Sequence, residues 1–331
     1  MMDYHFPELS YLTLRVLLKA KEAATLPPIK GSMLRGAFGH ALRQTVCAAR
    51  VATECRTCLL KSACVYTRIF ETLIQGVPPP LLRGLPTSPR PFIIDVAEER
   101  TDFAAGETIA FRITLIGNAI EFYPYVIYSL VRMAENGLSS RRHRFSVAQV
   151  DALTAVELDG SETWRQIYRE TEQTLATDAA PLFLQNDGKY AGPLSLLFLT
   201  PTRLKINNDL VISFTFHQLV FKMIRRVLEM AYFYQTDAPV DWQFQALLQA
   251  ADEIEILERN LQWVDWHRYS NRQKTDMKLG GFTGKLTIDG NLAPFSHLLR
   301  LSRLLHVGKG ATFGLGKMEM EIDDNYSKMK G

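Results

Sequence analysis

The chain has no long uncharged apolar run. Nowhere in its 331 residues does a stretch approach the ~18 apolar residues that a membrane span needs. Its opening, "MMDYHFPELSYLTLRVLLKAKEAATLPP", also lacks the basic start and continuous apolar core of a secretion signal. The expectation is therefore a cytoplasmic protein with no membrane partner. A dominant charge is missing too: the net charge is +3, so any surface for nucleic acid must be local. Low-complexity segments and short tandem repeats are absent. Cysteine is scarce, with four residues that a reducing compartment would leave as thiols or metal ligands rather than disulfides.

What is present describes an ordinary globular chain. Hydrophobic residues make up 47% and charged residues 22%, and the length suffices for two domains with their own cores. Periodicity predicts a strand over 10–22 and a helix within "GSMLRGAFGHALRQTVCAAR", where Leu34, Phe38, Ala41, Leu42 and Thr45 fall on one side. Strands at 91–98 and 107–116 follow a proline-rich linker. A helix over 119–137, interrupted at its start by Pro124, and a strand over 143–158 close the unit. Residues 160–192 are polar and read as a domain junction.

The same order then recurs: a strand at 194–206, a long helix at 212–235 and an extra helix at 242–258. Strands at 262–272 and 281–290, a helix at 293–305 and a last strand at 317–322 complete it. Two β-α-β-β-α-β units predict an α+β protein of two tandem ferredoxin-like, RRM-like domains. The first domain covers 1–190 with a cysteine-rich insertion at about 47–64, the second covers 191–324, and 325–331 form a tail.

Between the last helix and the last strand stands "HVGKGATFGLGK", with Gly308, Gly310, Gly314, Gly316, Lys309 and Lys317. It does not match the Walker loop, because Met318 follows Lys317, and it misses the dinucleotide fingerprint by one residue. Both motifs also require a loop that enters a helix, whereas this one enters a strand. What remains is a side-chain-poor ribbon whose N–H groups and two lysines suit an extended anion. The alternative is a long turn with glycines as helix cap and strand-entry bulge.

The four cysteines, Cys47, Cys55, Cys58 and Cys64, all lie within "CAARVATECRTCLLKSAC". Four thiolates with a C-x2-C pair suit a structural Zn²⁺, and an iron–sulfur cluster accepts the same ligands. Positive charge is concentrated in "SSRRHRF" and "WHRYSNRQKTDMK", the second interleaved with aromatics that can stack on bases.

These stretches together, with "IKGSMLRGAFGHALRQTVC", "FLTPTRLK" and "GGFTGKL", resemble the RAMP superfamily of RNA-binding proteins. Within it the chain is most similar to the CRISPR-associated endoribonucleases that cut precursor crRNA at its repeats, over about residues 10–322. The resemblance implies binding of repeat RNA and cleavage without a catalytic metal, by 2′-OH attack that leaves 2′,3′-cyclic phosphate and 5′-OH ends. It also implies a histidine in or near the first helix as acid or base, which here is His40. Helical spacing sets His40 opposite the Leu34/Phe38/Leu42 stripe, on a face with Gly36 and Arg43.

Lys30 and Arg43 are the cationic helpers expected beside it. The RNA-contacting set is Arg35, Arg268, Arg272, Lys274, His306, Gly308, Lys309, Gly310, Gly314, Gly316 and Lys317. Rival readings are a RAMP-type subunit that holds RNA within a CRISPR effector complex without cutting it, and a metalloenzyme using the cysteines. A homodimer is compatible with each.

Overall fold

The computed structural model describes residues 4–49, 54–74, 76–157, 160–184, 190, 192–235, 240–270 and 275–322. Its contacts divide the chain into two units. One holds Leu9–Phe183 with 233–236, and the other holds residues 1–8, 184–232 and 237–331. Residues 4–8 fall with the second group, where Phe6 packs on the His297 ring at 6.2 Å. The expected tail, 325–331, lies outside the described residues.

In the first unit β1 (Ser10–Ala20) is followed by α1 (Lys30–Val46), β2 (Phe92–Asp95) and β3 (Thr108–Ile116). Then come α2 (Tyr123–Asn136), β4 (Phe145–Val156) and β5 (Glu162–Arg169). The strand order is β2-β3-β1-β4-β5, antiparallel throughout, with β1 at the centre. Leu12, Leu14, Val16 and Leu18 alternate along β1 and are fully buried. Each such side chain contributes about 1.5–3 kcal/mol on burial. Leu14 pairs with Ile113 on one side and Ala152 on the other.

Helix α1 buries Leu34, Phe38, Ala41 and Leu42 against this core. Pro124 does not interrupt α2 but stands in its first turn, where the N–H it lacks would have no helical partner. The polar stretch expected to be a junction supplies β5, whose Trp164 lies under Arg15 and Arg112 at 4.6 and 5.1 Å.

The second unit runs β6 (Leu194–Thr202), α3 (Phe216–Tyr234), α4 (Gln245–Asp252) and β7 (Glu255–Val264). The hairpin β8 (His267–Ser270) and β9 (Thr275–Lys278) comes next, then β10 (Gly281–Asp289), α5 (Ser296–Leu305) and β11 (Met318–Ile322). The sheet order is β7-β10-β6-β11, again antiparallel. The extra helix ends at Asp252, short of its expected span, because Glu255–Val264 extend and pair with β10. Phe198 and Phe282 meet edge to face at 5.0 Å across β6 and β10. Among the described residues no helix is long and apolar enough to cross a membrane.

Candidate functional site

Helix α1 places His40 on its outer face, exposed, as the spacing predicts. Gln44 stands one turn further on, with its amide Nε2 3.0 Å from the imidazole Nε2. Asn136, at the end of α2, donates from Nδ2 to Gln44 Oε1 at 3.0 Å, and Arg132 Nη1 donates to the Gln44 carbonyl at 3.4 Å. Gly36, a turn before His40, has no atom within 4 Å of where a Cβ would stand, so this face is open.

Lys30, expected beside His40, is placed differently. Lys30 is only 2% exposed; its Nζ donates to the carbonyls of Glu98 at 2.8 Å and Pro28 at 3.4 Å. Burial lowers its pKa, with the nearby charges secondary. That is the position of a lysine tying chain segments together, not of a cation facing a phosphate. Arg43 lies over the Tyr66 ring at 5.9 Å and Arg35 over the Phe70 ring at 4.0 Å. Burial, then the Glu71 carboxylate, pushes the Tyr66 hydroxyl up to about 12.

In the second unit the glycine loop is held by its own surroundings. Gly308, Gly310, Gly314 and Gly316 all have left-handed φ, from 74° to 93°. A Cβ on Gly316 would stand 1.9 Å from Val307 O, and one on Gly308 2.7 Å from Arg203 O. Val307 N–H donates to Gly316 O, Lys309 N–H to Arg203 O, and Gly316 N–H to Pro201 O. Phe313, Gly314 and Leu315 donate within the loop, and Lys317 N–H donates to Thr200 Oγ1. Seven amides are thereby taken, so much of the ribbon's expected N–H lining for an anion is already committed. His306, expected to contact RNA, is 5% exposed, with Nδ1 3.1 Å from Leu315 O.

Side-chain charge fills the gap. Lys309 is exposed, and its pKa is lowered first by partial burial, then by repulsion from Lys205, Arg203 and Arg225. Lys222 is lowered likewise by burial and by Arg225 and Lys309. Five cations thus gather around the loop, with Glu229 bonded to Arg225 at 2.7 Å. Like charges gathered in one region favour a bound anion. Arg203, Lys205, Lys222 and Arg225 were not singled out from sequence. They come from "TRLK" and two positions three apart on α3, and only the fold unites them. Of the other residues expected to bind RNA, Arg268 lies on β8, of which the backbone alone is described. Arg272 and Lys274 lie outside the described residues.

The cysteines were expected to hold a metal. Cys47 caps the end of α1, Cys55 opens a short 3-10 turn that Cys58 caps, and Cys64 precedes the turn at Thr67–Glu71. All four are free and half-buried. Burial raises the Cys55 thiol, and Cys64 and Cys47 are near enough to add to it. Even so, among the described residues no three His, Cys, Asp or Glu side chains converge tightly enough to hold an ion. The four thiols stand on successive turns of the segment.

A family model described as CRISPR-associated endoribonuclease Cas6 matches residues 196–318, and one described as an N-terminal domain matches residues 9–180. No curated protein matches the chain. Among solved structures, a Cas6 product complex aligns with TM-score 0.53 and 14% identity, over 94% of this chain and 99% of that one. Thermus thermophilus Cas6 aligns with TM-score 0.51 and 14% identity, over 96% and 100%. A partial Cas6-RT-Cas1–Cas2 complex gives 0.53 and 17%, over 98% of this chain and 47% of that longer one. At such identities the likeness is one of fold, a mixed α+β protein with antiparallel sheets. Taken with the endoribonuclease model over residues 196–318, it supports a place for this chain in a CRISPR-associated precursor-crRNA processing family.

Proposed function

We propose that this chain is a cytoplasmic prokaryotic endoribonuclease that binds CRISPR repeat RNA and cuts precursor crRNA by 2′-OH attack, without a catalytic metal. Both units are ferredoxin-like in this reading, which their common strand order supports: the second, third, first and fourth strands of each β-α-β-β-α-β set lie side by side. The observation that carries the cleavage reading is His40, exposed on the open face of α1, with an amide as its neighbour. Imidazole is suited to take or give a proton near neutrality. The five-cation cluster in the second unit would hold RNA phosphates, with the glycine loop as a rigid edge. Arg35 and Arg43, seated over aromatic rings, would add charge to the α1 face.

The cysteine segment is proposed as a structural Zn²⁺ site, with Cys47, Cys55, Cys58 and Cys64 as the thiolates that would hold the metal. Subunits of a CRISPR effector complex and a second copy of the chain are the protein partners proposed.

The test is cleavage of labelled repeat RNA in EDTA, comparing wild type, His40→Ala and a substrate with 2′-deoxy at the cut site. The reading predicts cutting that both changes abolish and a 2′,3′-cyclic phosphate product. Tight binding without cutting would replace it with the subunit that only holds RNA. Activity lost to EDTA would place the chemistry on a metal.

A further inference from the structure

The His40–Gln44–Asn136 chain carries more information than its three members do singly. An amide nitrogen only donates, so Gln44 Nε2, 3.0 Å from His40 Nε2, requires a lone pair on that ring nitrogen. The proton of the neutral ring must then sit on Nδ1. Asn136 donates from Nδ2 to Gln44 Oε1 at 3.0 Å, so turning the Gln44 amide alone would set two donors face to face. Arg132 holds the main chain of the same residue from α2. In this arrangement donation runs from Asn136 to Gln44 to His40, from the end of one helix to the outer face of another.

We propose that Gln44, oriented by Asn136, is a positioning residue that keeps His40 in the Nδ1–H tautomer with Nε2 as acceptor, making His40 the base of the cleavage rather than its acid. The functional half rests on the reading that His40 acts on RNA; the tautomer does not. The Gln44 amide occupies the place that a ribose hydroxyl takes when RNA binds. The 2′-OH then gives its proton to Nε2, and the freed electron pair forms the new bond to phosphorus. The bond from phosphorus to the 5′-oxygen breaks, and that oxygen takes a proton from solvent water. Nε2 later returns its proton to solvent, so the ring is unchanged over the cycle.

The experiment is a long-range ¹H–¹⁵N correlation spectrum of the full chain labelled at histidine, recorded without RNA at alkaline pH, where free imidazole is neutral. His40 is assigned by its loss in His40→Ala. Wild type should show a pyrrole-type Nδ1 and a pyridine-type Nε2 for His40. Gln44→Glu, which presents an acceptor in place of the donor, should move the proton to Nε2, and Asn136→Leu should give a mixture of tautomers. Gln44→Glu should also lower kcat by roughly ten- to a hundredfold with KM unchanged.

A wild-type Nε2–H ring, or a Gln44→Glu spectrum identical to wild type, overturns the proposal without any cleavage assay. The expected spectra beside full cleavage by His40→Ala overturn the base role and the reading of His40 as catalytic, while the tautomer stands.

Discussion

Gly39 and the ring of Phe70 are so close that a Cβ on Gly39 would lie 2.0 Å from Phe70 Cζ. The absent side chain lets α1 lie down on the stacked rings of Phe70 and Phe92, and so fixes the face on which its neighbour His40 emerges. Gly39→Ala would force the ring or the helix aside, at a cost of about 1–3 kcal/mol. Urea unfolding should show that loss. Gly36→Ala, at an open position, should instead gain about 0.5–1 kcal/mol, the usual helix advantage of alanine over glycine.

Lys30→Met should destabilise the fold by about 1–3 kcal/mol, since the carbonyls of Glu98 and Pro28 lose their donor. Cleavage per folded molecule should stay unchanged. A drop beyond tenfold in a variant that melts normally would return Lys30 to the catalytic set. The Lys30 pKa is lowered in the fold, so between that value and the ordinary one the unfolded chain holds the extra proton. Its contribution to stability therefore rises with pH across that alkaline window, and Lys30→Met should lack the rise.

Lys309→Ala and Lys205→Ala should weaken binding of repeat RNA nearly equally for unrelated RNA sequences. Each should lower the slope of log affinity against log salt by roughly 0.7–0.9, as expected for one lost phosphate contact. Fluorescence titration from low to moderate salt checks this; unchanged slopes would remove the cluster from the RNA surface. Cleavage of saturating RNA should persist in both variants.

Purified chain should carry about one equivalent of zinc held by Cys47, Cys55, Cys58 and Cys64, the number expected of a four-thiolate site. Removing it with a strong chelator should lower Tm and expose four titratable thiols while cleavage of folded protein continues. Metal-free protein of unchanged Tm would reduce the segment to free thiols.

Much of the frame was legible from local pattern. The alternation of Leu12, Leu14, Val16 and Leu18 marks β1, and the Leu34/Phe38/Leu42 stripe fixes the outward position of His40. Other parts were not, for identifiable reasons. Strand β5 is polar because it lies toward the sheet's edge, and Glu255–Val264 follow a helix without a breaker; cross-strand pairing decides both. Lys30 reads as a surface cation until two main-chain carbonyls from different segments are seen to enclose it. Arg203, Lys222 and Lys309 are far apart in sequence, and charge counted along the chain cannot reveal a cluster made by folding.

The glycine loop has its hydrogen bonds in place before any ligand arrives, knit to Pro201, Arg203 and the Thr200 hydroxyl. A segment ordered in advance loses little conformational freedom on association. If RNA binds there as proposed, its backbone would meet a finished mould, and the entropy of ordering would fall on the RNA alone. A repeat already folded into shape would bind such a mould more tightly than an unstructured strand of the same charge.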